Sequence, residues 1–108
     1  MTPSEIVTVA SETVQALSQT VSGRTFVKSI KKLVDALARV PDYSSAAFSS
    51  QEIAQLQLAA EQTIAAIELR IETGDDNGTV QLELARSVYE LRRKVEDINR
   101  WRRHYLGH

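Results

Sequence analysis

Apolar side chains recur every three or four residues along most of the chain, in four segments separated by short polar breaks. This spacing places them on one face of an α-helix and leaves the opposite face polar. Glycine and proline are scarce, with four and two copies, and they fall mainly between or at the ends of these segments. The pattern predicts an all-α fold, a four-helix up-down bundle of amphipathic helices.

The first helix has a clear start and an ambiguous end. Thr2, Pro3 and Glu5 match a capping box with proline in the first helical position. The pattern breaks at residues 22–25, where Gly23 is a candidate for the left-handed residue that ends the helix. A kink at this point in one longer helix is the alternative.

The second and third helices are bounded by Pro41 and by a second capping box. The second helix covers about residues 25–40, because proline disfavours helical geometry at the residue before it. Residues 41–50 form a loop, and Ser49 and Glu52 then match a capping box. The third helix is expected over about residues 50–73.

A turn rich in Gly, Asp and Asn at residues 73–78 precedes a fourth helix over about residues 79–105. The third and fourth helices therefore form a long antiparallel hairpin with a coiled-coil-like seam. An alternative places the first two helices as a hairpin swapped onto a partner chain. The fourth helix repeats its seam at a spacing of four and three residues, and the seam residues are Leu84, Val88, Leu91, Val95, Ile98 and Tyr105.

The end of the fourth helix is rich in arginine, and most of its charge is explained by helix chemistry. Three acids each precede an arginine by three residues, a spacing that favours ion pairs on an exposed face. Trp101 is expected to cover the edge of the core. The three expected pairs are Glu83–Arg86, Glu90–Arg93 and Asp97–Arg100.

The composition narrows the class of protein. The chain of 108 residues has the size of one domain, expected to cover residues 1–108. It contains no cysteine, which excludes disulfides and thiolate metal sites. It has no apolar run long enough to cross a bilayer and no signal-peptide pattern at its N-terminus. These features favour a cytoplasmic protein.

Catalytic and metal-binding patterns are weak. His104 and His108 have the spacing of metal ligands on a helix, but no third ligand is evident and Gly107 interrupts them. Asp75 opens a stretch similar to a calcium loop that has Arg86 where the twelfth residue should be Glu. The sequence predicts no enzyme, no cofactor, no metal site and no small-molecule substrate.

Charge alternates along the chain although the net charge is only -1. Residues 1–22 and 41–79 are acidic, whereas residues 23–40 and 80–108 are basic, so that neighbouring segments could attract one another. The second helix has a basic face opposite its apolar face, a pattern typical of contacts with nucleic acid or an anionic membrane. The candidate contacts with an anionic partner are Arg24, Lys28, Lys31, Lys32, Arg39, Arg102 and Arg103.

The third and fourth helices also carry apolar residues away from their seams. In an antiparallel hairpin we expect Leu69 and Leu82 to lie at similar height and Tyr89 to lie near Gln62. An exposed apolar patch of this kind usually marks an interface. The alternative is that the first or second helix covers these residues within one chain. The sequence thus predicts a helical interaction or scaffolding module that binds itself, as a dimer or larger assembly, or another helical protein. The predicted interface residues are Leu58, Ala65, Leu69, Leu82 and Tyr89.

Overall fold

The computed structural model describes residues 1–19 and 21–105, and this part of the chain forms helices and no strands. The predicted all-α four-helix fold is confirmed, and the third and fourth helices pack along each other as the expected hairpin. The α-helices are α1 (Pro3–Ala16), α2 (Gly23–Ala38), α3 (Ser50–Thr73) and α4 (Gly78–Tyr105), and two short 3-10 helices span Val40–Asp42 and Ser45–Ala47.

The order of the helices around the bundle differs from their order in the chain. α1 packs against α2 and α3, and α4 packs against the same two helices, whereas α2 and α3 touch only slightly. The helices are therefore arranged around the bundle in the order α1, α2, α4 and α3. The connection over residues 39–49 crosses the end of the bundle diagonally, and both 3-10 helices lie in it.

Local capping signals set the starts of α1 and α3. The Thr2 side chain accepts a hydrogen bond from the Glu5 backbone N–H, and the Glu5 carboxylate accepts one from the Thr2 hydroxyl, each at 3.3 Å. At α3 the predicted capping box is complete. The Glu52 N–H donates to the Ser49 hydroxyl at 3.0 Å, and the Ser49 N–H donates to the Glu52 carboxylate at 2.9 Å. The bonds donated by the Glu5, Ser49 and Glu52 N–H groups satisfy donors that have no partner inside the helix.

The turn between α3 and α4 uses the residues that its composition predicts. Gly74 ends α3 in the left-handed region with a φ of 71°, a conformation that costs glycine little. The Asn77 side chain then accepts a hydrogen bond from the Val80 N–H at 3.0 Å and caps the start of α4. The sharp reversal of the hairpin follows from these two residues.

The expected role of Gly23 is wrong. α1 ends at Ala16, and Gly23 is the first residue of α2, with Ser22 as the N-cap, so α1 and α2 are two separate helices. A Cβ at Gly23 would lie 2.5 Å from an Asp76 carboxylate oxygen and 2.6 Å from a Val80 methyl carbon. Glycine is therefore needed here because the start of α2 lies directly against the start of α4.

Arg70 joins three segments at the same end of the bundle. Its Nε donates to the Asp76 carboxylate at 2.7 Å, and one terminal nitrogen donates to the Val21 carbonyl at 2.9 Å. The guanidinium also lies 4.8 Å from the centre of the Phe26 ring. The hydrogen bond with Asp76 raises the pKa of Arg70 and lowers the pKa of Asp76. This arginine links α3 to the hairpin turn and to the α1–α2 connection.

One apolar cluster joins all four helices. In the seam of α4, Leu84, Leu91 and Ile98 are buried, whereas Tyr105 is exposed, contrary to expectation. The Val88 and Val95 side chains pack partly buried against the same cluster. The other large and fully buried apolar residues of the cluster are Ile6, Ile30, Leu33, Leu37, Val40, Ile53, Leu56 and Ile67.

Trp101 closes one end of the core, as its sequence position predicts. Its ring packs edge-on against Phe48 at 6.0 Å, and Phe48 in turn packs edge-on against Tyr43 at 5.7 Å. Both partners come from the α2–α3 connection and its junction with α3. The contacts among these three rings therefore hold the connection over residues 39–49 against the end of α4. Among the residues described, none of the helices combines the length and hydropathy required to traverse a bilayer.

Candidate functional site

All five predicted interface residues lie on the surface. The large ones are more than half exposed: Leu58 at 53%, Leu69 at 62%, Leu82 at 56% and Tyr89 at 64%, and Ala65 is exposed as well. Burying such side chains in a partner is favourable by roughly 1.5–3 kcal/mol for each large residue. In the single folded chain these side chains stay in contact with water, so the favourable free energy of burying them is not gained.

Side chains of α3 and α4 contact each other along the length of the hairpin. The Gln57 side chain donates a hydrogen bond to the Asn99 side chain. Seven residues further along α3, Ile64 lines one groove with Arg92 of α4. The Arg92 guanidinium also forms an ion pair with Glu68 of α3 at 3.1 Å.

The five predicted interface residues form two stripes, one on each helix of the hairpin. That Leu69 lies at the height of Leu82, and Tyr89 near Gln62, stays a prediction. We call Leu58, Ala65 and Leu69 the α3 stripe, and Leu82 and Tyr89 the α4 stripe.

The α3 stripe borders α1 as well as solvent. Leu58 lines a groove of about 370 Å³ between α1 and α3. Leu69 lines a second groove, near the ends of the same two helices. All residues that line the first groove are uncharged: Val7, Ala10, Ser11, Val14, Gln15, Gln55, Leu56, Leu58, Ala59 and Gln62. Depletion of charge is a mark of the centre of protein interfaces. The sequence analysis missed this groove because it depends on α1 and α3 being neighbours.

The predicted basic face of α2 is fully presented to solvent. Its bases are all exposed, and within residues 1–19 and 21–105 none of them forms an ion pair. These residues are Arg24, Lys28, Lys31, Lys32 and Arg39. On α4, Arg103 is exposed, and Arg102 donates a hydrogen bond to the Gln57 side chain at 3.3 Å.

The expected series of ion pairs on α4 is mostly absent. In the part of the chain that the structure describes, Asp97 and Arg100 form their pair, whereas Glu83–Arg86 and Glu90–Arg93 do not. Asp97 also lies 4.0 Å from the Lys94 ammonium. The guanidinium of Arg93 instead lies 5.9 Å from the centre of the Tyr89 ring.

The order of the helices separates the charges into two halves. α1 and α3 are neighbours and together carry six acids and one base, Arg70, which is paired with Asp76. α2 and α4 are also neighbours and, with Arg39, carry twelve bases and five acids. The sequence predicts attraction between segments that are consecutive in the chain. The packing of α1 on α3 and of α2 on α4 also divides the molecule into an acidic half and a basic half.

No candidate metal centre emerges from the described residues, which contain no group of three potential ligands. His104 is exposed at the end of α4, and its ring lies 4.7 Å from that of Tyr105. Gly107 and His108 lie outside the described residues. The polar side chains that line the first groove are amides and one hydroxyl, from Gln15, Gln55, Gln62 and Ser11.

Comparison of the chain with models of protein families, with curated proteins and with solved structures gave no match. The functional argument therefore depends on the surfaces of the molecule.

Proposed function

We propose that this chain is a non-enzymatic helical protein–protein interaction or scaffolding module that associates with copies of itself through α3 and α4. The observation that carries the proposal is the exposure of Leu58, Leu69, Leu82 and Tyr89, each above half of its surface. Apolar patches of this kind usually mark contact sites. A cytoplasmic location remains a prediction from the sequence.

The first test is light scattering during size-exclusion chromatography of the wild-type chain across a dilution series. The expected result is a mass above 12.0 kDa that falls on dilution. Replacing Leu58→Glu and Leu69→Glu should weaken the association at least tenfold, since 1.4 kcal/mol is a factor of ten and each leucine contributes about that much or more.

The matched control adds two acids to the same helix away from the stripe. Ser50 and Gln51 are exposed in the first turn of α3, and Ser50→Glu with Gln51→Glu should leave the mass unchanged. Circular dichroism should show the same helix content for all three proteins, because every substituted side chain is exposed. A wild-type chain that stays at 12.0 kDa at every concentration contradicts the proposal.

A second candidate function is binding of nucleic acid or an anionic membrane through the basic face of α2. The observation that favours it is the set of four exposed bases on α2, with Arg39 at its C-cap, beside the basic helix α4. Within residues 1–19 and 21–105 none of these five bases forms an ion pair. Neutralising phosphates with lysine and arginine makes affinity fall steeply with salt. Arg102 and Arg103 would extend the contact at the end of α4.

Fluorescence anisotropy of labelled double-stranded DNA, and sedimentation with vesicles containing anionic lipid, test this candidate over a series of NaCl concentrations. We expect binding at low salt that weakens on raising salt and on replacing Lys28→Gln and Lys31→Gln. No binding to either probe at low salt eliminates the candidate.

A further inference from the structure

The α3 stripe is flanked by acids. Glu61 follows Leu58 by three residues, and Glu72 follows Leu69 by three residues, so each acid is a surface neighbour of a leucine on the same helix. Both carboxylates are exposed, and neither forms an ion pair within residues 1–19 and 21–105. On its other side the stripe meets the uncharged groove with α1.

The α4 stripe is flanked by bases. Arg86 follows Leu82 by four residues, and Arg93 follows Tyr89 by four residues, which again makes them surface neighbours. The Arg93 guanidinium lies 5.9 Å from the Tyr89 ring centre and so stays beside the stripe. Neither arginine has an ionic partner in the described part of its own chain.

We propose that the α3 stripe of one copy binds the α4 stripe of a second copy, which specifies the contact within the self-association proposed above and rests on it. Pairing α3 with α3 would set Glu61 and Glu72 against like charges, and pairing α4 with α4 would do the same to Arg86 and Arg93. Like charges across a contact are unfavourable, whereas opposite charges select the partner and the register. The charges therefore disfavour both identical pairings, although Glu83 and Glu90 lie near the two arginines, and they favour the unlike pairing.

The apolar residues of the two stripes also match in spacing. Leu58 and Ala65 are seven residues apart, and so are Leu82 and Tyr89. Seven residues are close to two helical turns, about 10 Å along the axis. Leu58 can then pack on the partner's Leu82 while the small Ala65 accommodates the partner's large Tyr89 ring. The same offset sets Glu61 level with Ala85, one residue from Arg86, and sets Glu72 level with Glu96, three residues from Arg93.

Two blocked variants test this pairing. Leu58→Gln with Leu69→Gln removes the α3 stripe, and Leu82→Gln with Tyr89→Gln removes the α4 stripe, without a change of charge. Each variant alone should associate at least tenfold more weakly than the wild type in light scattering. An equimolar mixture should regain association as a complex of the two variants, because one intact α3 stripe and one intact α4 stripe remain.

Charge reversal provides the second arm. Glu61→Lys with Glu72→Lys, and separately Arg86→Glu with Arg93→Glu, should each weaken association, and their mixture should restore it. All substituted residues are exposed, and circular dichroism should show unchanged helix content.

The outcomes separate the pairing from the function on which it rests. If the wild type associates but the α4-blocked variant associates equally well, or the two blocked variants remain monomeric when mixed, the pairing is wrong and self-association stands. If the wild type is a monomer at every concentration, the proposed function itself fails. Restored association in both mixtures supports the α3–α4 contact.

Discussion

Asp76 is the acceptor at the junction that closes one end of the bundle. Its carboxylate receives two hydrogen bonds from Arg70, at 2.7 and 3.2 Å, and its side chain is only 10% exposed. The hydrogen bond from Arg70 holds the pKa of Asp76 below its ordinary value of 3.8. A depressed carboxylate pKa stabilises the folded state at any pH above the unfolded value, and this contribution is lost as pH falls through the folded value.

Replacing Asp76→Asn should therefore lower the free energy of unfolding at neutral pH by about 1–3 kcal/mol, the usual worth of a charged hydrogen bond. It should also reduce the loss of stability that we expect of the wild type below about pH 4. Urea unfolding at a series of pH values, followed by Trp101 fluorescence, measures both effects. Asp75→Asn, at an exposed neighbour in the same turn, is the control and should leave the neutral-pH midpoint close to wild type. An unchanged Asp76→Asn midpoint would show that the junction contributes no stability.

Gly23 depends on the close approach of α2 and α4. Gly23→Ala should destabilise the protein by about 1–3 kcal/mol, because the new methyl group overlaps Asp76 and Val80 and must displace them. Gly78→Ala is the matched control, since a Cβ there has nothing within 4 Å. That substitution should be neutral or slightly stabilising. Equal urea midpoints for the two variants would contradict the packing of α2 against α4.

At the scale of the helices, the sequence predicts best where the signal is local. The Ser49–Glu52 box and Gly74 set the ends of α3 within a residue of expectation, because capping depends on neighbours in the chain. The prediction for Gly23 was wrong because the contact that requires glycine is with Asp76, which is 53 residues away in the chain. The exposed leucines followed from helical periodicity, whereas the α1–α3 groove depends on which helices touch. Periodicity alone does not contain that information.

The α3 cap gives a prediction at this scale. Ser49→Ala removes the hydroxyl that accepts the Glu52 N–H at 3.0 Å, and loss of such a cap costs about 1 kcal/mol. We expect a lower urea midpoint with an unchanged slope, since the surface exposed on unfolding is the same. Ser50→Ala, at the exposed next residue, should change stability by less than about 0.5 kcal/mol. Equal losses for the two variants would mean that the box contributes nothing specific.

For the whole molecule, the bundle order decides where charge and apolar surface lie. With the order α1, α2, α4, α3, the two acidic segments become neighbours and so do the two basic ones. An order that followed the chain would alternate the signs around the bundle and would place α3 diagonal to α1. The uncharged groove beside Leu58 and the basic half beside α2 both follow from the observed order. Both functional proposals therefore depend on this order of the helices.

The bundle order can be tested directly because the chain has no cysteine. Ser11 and Gln55 line the same groove, so a Ser11→Cys, Gln55→Cys variant should be cross-linked within one chain by a short thiol-reactive reagent. The matched control keeps Gln55→Cys and moves the second cysteine to Asp35, on the diagonal helix α2. Dilute protein and gel electrophoresis distinguish intramolecular from intermolecular products. Efficient cross-linking of the control, with none in the α1–α3 pair, would mean that the helices follow their chain order around the bundle.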